Sequence, residues 1–172
     1  GPGTAEGSDP GAFTDPQPLG GLKPAAVTGA LKAAGLAAGA VAVRFPASTF
    51  RAGAFTNPDP SVRAAAVDIV AAACGWARLL DASAGVIVWP QFDGYDYHMQ
   101  INYTTTWRRG VDAIRAALDR DECEGVKLSY EFKPTDPSSR FALVPSTAAA
   151  LTLVSDVDRP GRVGLPLDAG HR

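Results

Sequence analysis

The chain has 172 residues, of which 46% are hydrophobic and 20% are charged, and its formal net charge is -2 at pH 7. This composition is that of an ordinary globular domain with enough apolar residues for one core. A small negative charge gives no basic surface for nucleic acid or anionic membrane, and no apolar run approaches the roughly 18 residues of a membrane span. We therefore expect a domain that binds neither nucleic acid nor membrane.

The N-terminal segment and the cysteines bear on location. Residues 1–21 are rich in Gly, Pro, Asp and Thr without periodicity, which predicts an irregular loop. The segment has no basic-then-apolar signal pattern. Cys74 falls in a predicted helix and Cys123 in a predicted turn, and their spacing is not that of a metal site. We expect both as reduced thiols in a cytoplasmic protein.

The first part of the chain alternates between helix and strand patterns. Asp59 and Pro60 open the clearest helix, because aspartate is a good N-cap and proline fits the first turn. The predicted elements up to residue 103 are a helix over 24–35, a strand over 40–45, a loop over 46–57, a helix over 60–80, a strand over 86–89 and a long aromatic loop over 90–103.

The second part repeats the same alternation. Its predicted elements are a helix capped by Thr104 or Thr105 and running to 120, a strand over 126–134, a loop to 145, a helix over 146–154 and a strand over 163–168. One helix between successive strands is typical of βα units with parallel strands. We interpret residues 1–172 as a single incomplete (β/α)8 TIM-barrel domain, an α/β fold with about four to five βα units. An open doubly wound sheet is the competing arrangement, but no Gly-x-Gly-x-x-Gly turn follows a strand.

The central strand over 126–134 has an apolar side and a polar side. The polar side consists of Lys127, Ser129, Glu131 and Lys133. An edge strand in a solvated sheet would show the same alternation, but between two helices the polar side predicts the inner wall of a barrel. Glu131 and Lys133 would then lie at the carboxyl end of a barrel strand, where such enzymes keep their chemistry.

The last strand repeats this placement. Asp168 lies on the polar side at the carboxyl end, and His171 follows three residues later. Two carboxylates and an imidazole on one rim suit a divalent cation such as Mn²⁺, Mg²⁺, Co²⁺ or Zn²⁺. The alternative is that Asp168 caps a following helix and His171 is a solvated loop residue, because Asp-x-x-His alone is a weak pattern.

Three runs of sequence together resemble the xylose isomerase-like TIM barrels, and within them the branch of L-rhamnose isomerase and related sugar isomerases. These runs are Val88-Trp89-Pro90-Gln91-Phe92-Asp93-Gly94-Tyr95-Asp96-Tyr97, Glu131-Phe132-Lys133-Pro134 and Leu167-Asp168-Ala169-Gly170-His171. The segment 53–60 fits the same branch. The resemblance covers most of residues 40–172, with the three motifs in order at family-like intervals.

The resemblance implies a role for each motif residue. Glu131 matches the carboxylate that bridges two metal sites, Asp168 a ligand of the first metal and His171 a ligand of the second. Lys133 matches the lysine that reaches the substrate, and Trp89 the aromatic wall of the sugar pocket. The catalytic residues implied are therefore Lys133 and Glu131, the metal ligands Glu131, Asp168 and His171, and the substrate-binding residues Trp89, Lys133 and His171.

The implied activity is metal-dependent aldose–ketose isomerisation of a small-molecule sugar, by a hydride shift between C1 and C2. Mn²⁺ is the cofactor expected first, with Co²⁺, Mg²⁺ or Zn²⁺ as alternatives. Family members supply further ligands from later strands, and this chain ends at Arg172. We therefore expect a fragment that is inactive alone, and a homo-oligomer for the full-length protein.

Two other functions stay open. One is a ketose 3-epimerase of the same superfamily, which moves a proton between two glutamates, although Lys133 favours the isomerase. The other is a truncated barrel without activity. A zinc endonuclease of this superfamily is disfavoured, because no basic stripe is evident. We also expect the loop over 90–103 to lie over the same rim and to bring Asp93, Tyr95 or His98 to the edge of the pocket.

Overall fold

The computed structural model describes residues 21–133 and 139–167. Its helices and strands are, in chain order, α1 (Pro24–Ala33), β1 (Val41–Arg44), α2 (Ala47–Phe50), α3 (Pro60–Leu79), β2 (Val86–Trp89), β3 (Gly94–Tyr95), α4 (Tyr103–Leu118), a 3-10 turn (Asp121–Cys123), β4 (Leu128–Tyr130), β5 (Phe141–Ala142), α5 (Thr147–Val157) and β6 (Val163–Gly164). Within these ranges no helix combines the length and the hydropathy needed to cross a membrane.

Four strands form one parallel sheet in the order β1-β2-β4-β6. The register pairs Val43 with Val88 and Val88 with Tyr130, so the carboxyl ends of the strands lie at one edge. The long helices α3, α4 and α5 occupy the crossovers between them. Strand order that follows chain order, with a helix in each connection, is the arrangement of successive βα units. The predicted parallel α/β architecture is confirmed.

Helix α3 forms as its sequence predicts. The Asp59 side chain accepts a hydrogen bond from the backbone N–H of Ser61 at 2.8 Å, and Pro60 occupies the first turn, where its missing N–H costs no helical bond. The buried face of the helix carries mostly small and medium side chains, which allow close approach to the sheet: Ala66, Val67, Val70, Ala71, Ala73, Cys74, Trp76 and Ala77.

The start of α4 and the segment 46–57 differ from the predictions. Helix α4 begins at Tyr103, two or three residues earlier than expected, because the side chain of Asn102, and not Thr104 or Thr105, accepts from the backbone N–H of Thr105 at 2.9 Å. The predicted loop over 46–57 contains the short helix α2. Its Phe50 is fully buried, and the Phe50 and Phe45 rings meet edge to face at 5.2 Å, so this segment belongs to the core.

The strands of the second half are shorter than predicted. Among the described residues of the predicted strands 126–134 and 163–168, ladder pairing covers Leu128–Tyr130 and Val163–Gly164 alone. Alternation of side chains indicates extended backbone, but a strand lasts only as long as a neighbouring strand supplies hydrogen bonds. The segment 1–21, predicted as an irregular loop, lies outside the described residues except for Gly21.

The cysteine prediction was wrong. Cys74 and Cys123 form a disulfide between α3 and the 3-10 turn, with their Cα atoms 5.0 Å apart, and both residues are fully buried. They are 49 residues apart in sequence. The pairing depends on how the turn folds back onto α3, and the spacing of the two cysteines in the sequence does not indicate this. The sequence alone therefore predicted reduced thiols.

Candidate active site

Three of the predicted site residues lie together at the carboxyl edge of the sheet. Trp89 is the last residue of β2, and Glu131 directly follows β4, where its backbone N–H donates to the carbonyl of Val88 at 2.9 Å. The Lys133 Nζ atom lies 3.5 Å from the Glu131 Oε1 atom and 4.0 Å from the centre of the Trp89 ring. The side chains of Trp89, Glu131 and Lys133 therefore converge on one point.

The alternation of the central strand places this cluster on the inner side. Leu128 and Tyr130 are buried, whereas Ser129 and Glu131 are half-buried. Side chains at alternate positions of a strand point to opposite faces, so the apolar pair belongs to the helix-covered core and the polar pair to the other face. This is the two-sided arrangement that the sequence pattern predicts.

The charges of the cluster are partly shielded from water. The Lys133 and Glu131 side chains are only 12% and 20% exposed, so their attraction is less screened than that of a surface pair. The Lys133 ammonium also lies over the face of the Trp89 ring, which carries negative charge density. The lysine side chain is thus oriented by two neighbours.

Arg44 was missed as a member of this region. It is the last residue of β1, and its Cζ atom lies 5.1 Å from the centre of the Trp89 ring. The available signal was its parity: in β1 the side chain of Arg44 points away from the apolar side occupied by Val43 and Phe45. The ends of β1, β2 and β4 therefore each bring a polar or aromatic side chain to the same rim.

A small cavity lies beside the cluster and has a volume of about 20 Å³. Its walls include Trp89, Glu131, Lys133, Asp93 and Tyr130. This volume holds about one water molecule. A sugar ring is larger than this space, so it fits only after some of the lining side chains move.

Asp93 ties two loops of the rim together. Its carboxylate is buried and accepts hydrogen bonds from the backbone N–H groups of Ala54 and Phe55 and from the Thr56 hydroxyl. Burial raises the pKa of Asp93 to about 6, although these hydrogen bonds act in the opposite direction. With its oxygens engaged in this way, Asp93 is an anchor for the loop that follows α2.

The pKa of Tyr130, in strand β4, is raised well above its ordinary value by burial and by the nearby charge of Asp93.

The other two residues expected at the pocket edge from the loop over 90–103 lie elsewhere. Tyr95 and His98 do not line the small cavity; their rings pack against Phe141 at centroid distances of 5.2 Å and 4.8 Å. Of the three residues that the sequence offered for the pocket edge, the structure brings only Asp93 to it.

The predicted metal ligands are only partly covered by the structure. Asp168 and His171 lie outside the described residues. Within residues 21–133 and 139–167, no group of three or more His, Cys, Asp or Glu side chains is placed to hold a metal ion. The half-buried carboxylate of Glu131 has the oxygen chemistry that a hard divalent cation prefers. This residue fits the role of one ligand in a larger set.

Comparison with known proteins gives the class of this chain. A family model described as xylose isomerase-like TIM barrel matches residues 5–172. The chain belongs to this family, and its parallel sheet is part of such a barrel. The resemblance to the xylose isomerase-like TIM barrels, inferred from the three motifs, is therefore confirmed.

Individual relatives refine the comparison. The xylose isomerase of Thermus thermophilus is 32% identical over 135 residues, which cover 74% of this chain and 33% of that protein. A D-tagatose 3-epimerase-like protein shares the fold with a TM-score of 0.67 and 21% identity, covering 86% of this chain and 51% of its own. D-psicose 3-epimerase from Clostridium cellulolyticum H10 gives a TM-score of 0.63 and 17% identity, covering 87% and 50%.

These matches also define what the chain represents. It spans about half of the two solved structures and a third of the xylose isomerase. The four parallel strands thus correspond to part of the closed barrel in these relatives.

Proposed function

We propose that the protein to which this segment belongs is a metal-dependent aldose–ketose sugar isomerase. The observation that carries the proposal is the contact of Lys133 with both Glu131 and the Trp89 ring at the carboxyl ends of adjacent strands. A carboxylate, an ammonium group and an aromatic face within one small volume supply the groups that a sugar undergoing isomerisation requires. Membership of the xylose isomerase-like family supports the same interpretation.

Each side chain has a role that follows from its chemistry. The Glu131 carboxylate offers anionic oxygens, the Lys133 ammonium donates hydrogen bonds to a sugar oxygen that gains negative charge, and the Trp89 face packs on apolar C–H groups and excludes water. Because Lys133 is only 12% exposed, its charge acts in a poorly screened environment.

A divalent cation is the cofactor that this carboxylate fits, with Mn²⁺ proposed first and Co²⁺, Mg²⁺ or Zn²⁺ as alternatives. Glu131, Asp168 and His171 are the residues that would hold it. When bound, such a cation supplies Lewis acidity toward sugar oxygens. The protein's own contribution is to hold the Lys133 ammonium beside Glu131 at the strand ends, where it can donate to an oxygen of a bound sugar.

A ketose 3-epimerase is the second candidate. It is kept because two solved structures with the same fold carry names of this class, although identities of 21% and 17% establish the fold alone. Proton transfer between two carboxylates has no requirement for a lysine, whereas Lys133 occupies the centre of the described cluster. The lysine therefore distinguishes the two functions.

The test uses Lys133→Met and Glu131→Gln in the full-length protein. Glu131→Gln should lower Mn²⁺ affinity by at least about tenfold and abolish isomerisation, because an amide offers a neutral, weaker ligand. Lys133→Met should retain Mn²⁺ binding and lose about 10²-fold to 10³-fold in turnover, the size of effect seen when one charge-stabilising donor is removed. Calorimetric titration and sugar analysis by chromatography measure the two quantities.

The control is Glu124→Gln, since Glu124 is an exposed carboxylate beyond the 3-10 turn. It should change neither quantity. Full isomerisation by Lys133→Met would contradict the proposed role of the lysine. Interconversion of ketoses at C3 without formation of an aldose would establish the epimerase instead, and no activity toward any sugar would leave a non-catalytic barrel.

A further inference from the structure

A second and much larger cavity lies on the outer side of the fold, between α4, α5 and the ribbon of β3 and β5. Its volume is about 600 Å³, within the range of small-molecule sites. None of its lining residues lines the small cavity beside Glu131. The proposed sugar chemistry at the strand ends makes no use of it.

Aromatic side chains form one part of its wall. Tyr95, Tyr103 and Trp107 all line the cavity, and the rings of Tyr95 and Tyr103 meet edge to face at 5.3 Å. The indole Nε1–H of Trp107 donates to the Asp156 carboxylate at 2.7 Å, which ties the indole on α4 to helix α5. The aromatic wall is therefore held in place by contacts between elements.

Charged side chains form the other part, and their charges balance. Two arginines, Arg108 and Arg115, face two carboxylates, Asp112 and Asp156. Arg115 is engaged with the backbone carbonyls of Asp156 and Val157 at 2.7 Å and 3.1 Å. Arg108 makes no side-chain hydrogen bond or ion pair with other residues in the part of the chain that the structure describes, so its donors are open to a ligand.

We propose that this cavity binds a neutral saccharide, at a site separate from the strand-end cluster. The faces of tyrosine and tryptophan rings are suited to the C–H faces of a sugar ring. The guanidinium groups donate to hydroxyl groups, and the carboxylates accept from them. A balanced set of two positive and two negative side chains favours neither an anion nor a cation, but it satisfies a ligand that carries many hydroxyl groups and no charge.

The test follows the tryptophan indole N–H signals of the ¹⁵N-labelled full-length protein by NMR while D-xylose or cellobiose is added. The Trp107 signal reports the outer cavity, and the Trp89 signal reports the strand-end cluster separately. Saturable shifts of Trp107 are expected with at least one of the two sugars. Because the two signals are independent, absence of binding at Trp89 would count against the proposed isomerase site without touching this proposal.

Two variants and one matched control complete the experiment. Tyr103→Ala and Arg108→Ala should each weaken sugar binding at Trp107 by about fivefold to tenfold. Tyr97→Ala removes an aromatic ring from the loop that precedes α4. This ring is 69% exposed and does not line the cavity, so the affinity should be unchanged. Inorganic phosphate should cause no saturable shift.

Three results would overturn the proposal. The first is absence of a saturable Trp107 shift with both sugars. The second is unchanged affinity in Tyr103→Ala and Arg108→Ala, each still folded by its NMR spectrum. The third is saturation by phosphate in place of the sugars, which would make the cavity an anion site.

Discussion

At the scale of the residue, Asp93 is the only charged side chain that is buried among the residues that the structure describes. It lies four residues beyond Trp89, and it is buried while it accepts three hydrogen bonds from the segment 54–56. Its backbone carbonyl also accepts from the N–H of Leu143 at 3.0 Å, so it contacts the connection after β5 as well. One residue thus fixes three pieces of chain around the candidate site.

The raised pKa of Asp93 predicts a pH dependence of stability. A carboxyl whose pKa is about 6 when folded and 3.8 as a model group favours the folded state below pH 3.8, and this contribution is lost as pH rises through about 6. The loss attributable to Asp93 is about 3 kcal/mol between these limits. Urea unfolding of the chain between pH 4 and pH 7 measures it.

Asp93→Asn supplies the comparison. The asparagine does not titrate, so the free energy of unfolding of this variant should lack the Asp93 part of the decline. Its amide nitrogen meets a backbone N–H, which should lower stability by about 1–3 kcal/mol relative to the protonated wild type. Asp96→Asn, an exposed position in the same loop, should keep the wild-type pH profile. If the free energy of unfolding changed with pH in the same way in the wild type and in Asp93→Asn, the decline could not be attributed to Asp93.

At the scale of the element, the Cys74–Cys123 disulfide joins α3 to the turn that precedes β4. Closing a loop between residues 49 apart should contribute about 4 kcal/mol by restricting the unfolded chain. Urea unfolding with and without reductant should therefore show a large shift of midpoint. Cys74→Ala combined with Cys123→Ala should unfold at one midpoint under both conditions, and free thiols in the untreated wild type would contradict the disulfide.

Gly85 permits the close approach of β2 to β4. Its φ is +72°, and a Cβ atom there would collide with the backbone carbonyl oxygen of Lys127. Gly85→Ala should lower the free energy of unfolding by about 2 kcal/mol or more, because both the backbone angle and the contact oppose it. Gly29→Ala in α1 is the control: its Cβ meets nothing within 4 Å, and alanine favours the helix. Equal effects of the two substitutions would contradict this explanation.

Individual elements show which parts of the fold can be predicted from the sequence. The bounds of β2 are correct to the residue because an apolar run lies between Gly85 and Pro90, both of which interrupt a strand. The bounds of β4 were too wide because alternation continues beyond the last ladder partner. The disulfide and the aromatic contacts of Tyr95 depend on pairings distant in sequence, and local patterns carry no information about them.

The candidate site shows the same division. Trp89, Glu131 and Lys133 were identified from the motifs, and the parity of the strands explains why they meet. Arg44 required knowledge of which strand lies next to β2, and the anchoring role of Asp93 required the fold of segment 53–57. Residues at strand ends are predictable as a group, whereas their partners in loops are set by tertiary packing.

At the scale of the whole molecule, the sheet has inner and outer strands. β2 and β4 each have neighbours on both sides, whereas β1 pairs on one side among the described residues. The backbone N–H of Glu131 bonds to the carbonyl of Val88, between the two inner strands, so its exchange reports opening of the middle of the sheet. The N–H of Val41 bonds to the carbonyl of Gly85, so its exchange reports opening of β1. Hydrogen exchange at Glu131 should be slower by at least about tenfold. Equal rates at the two positions would show that the sheet opens as one unit.

The ribbon of β3 and β5 has a consequence for how this protein can be altered. Ala142 lines the small cavity beside Glu131, and its neighbour Leu143 lines the large outer one. Consecutive residues therefore face different cavities, and a single substitution at the appropriate position can reshape one cavity without altering the lining of the other. A one-residue insertion or deletion in the ribbon, by contrast, turns each of these side chains toward the other cavity and disturbs both cavities together.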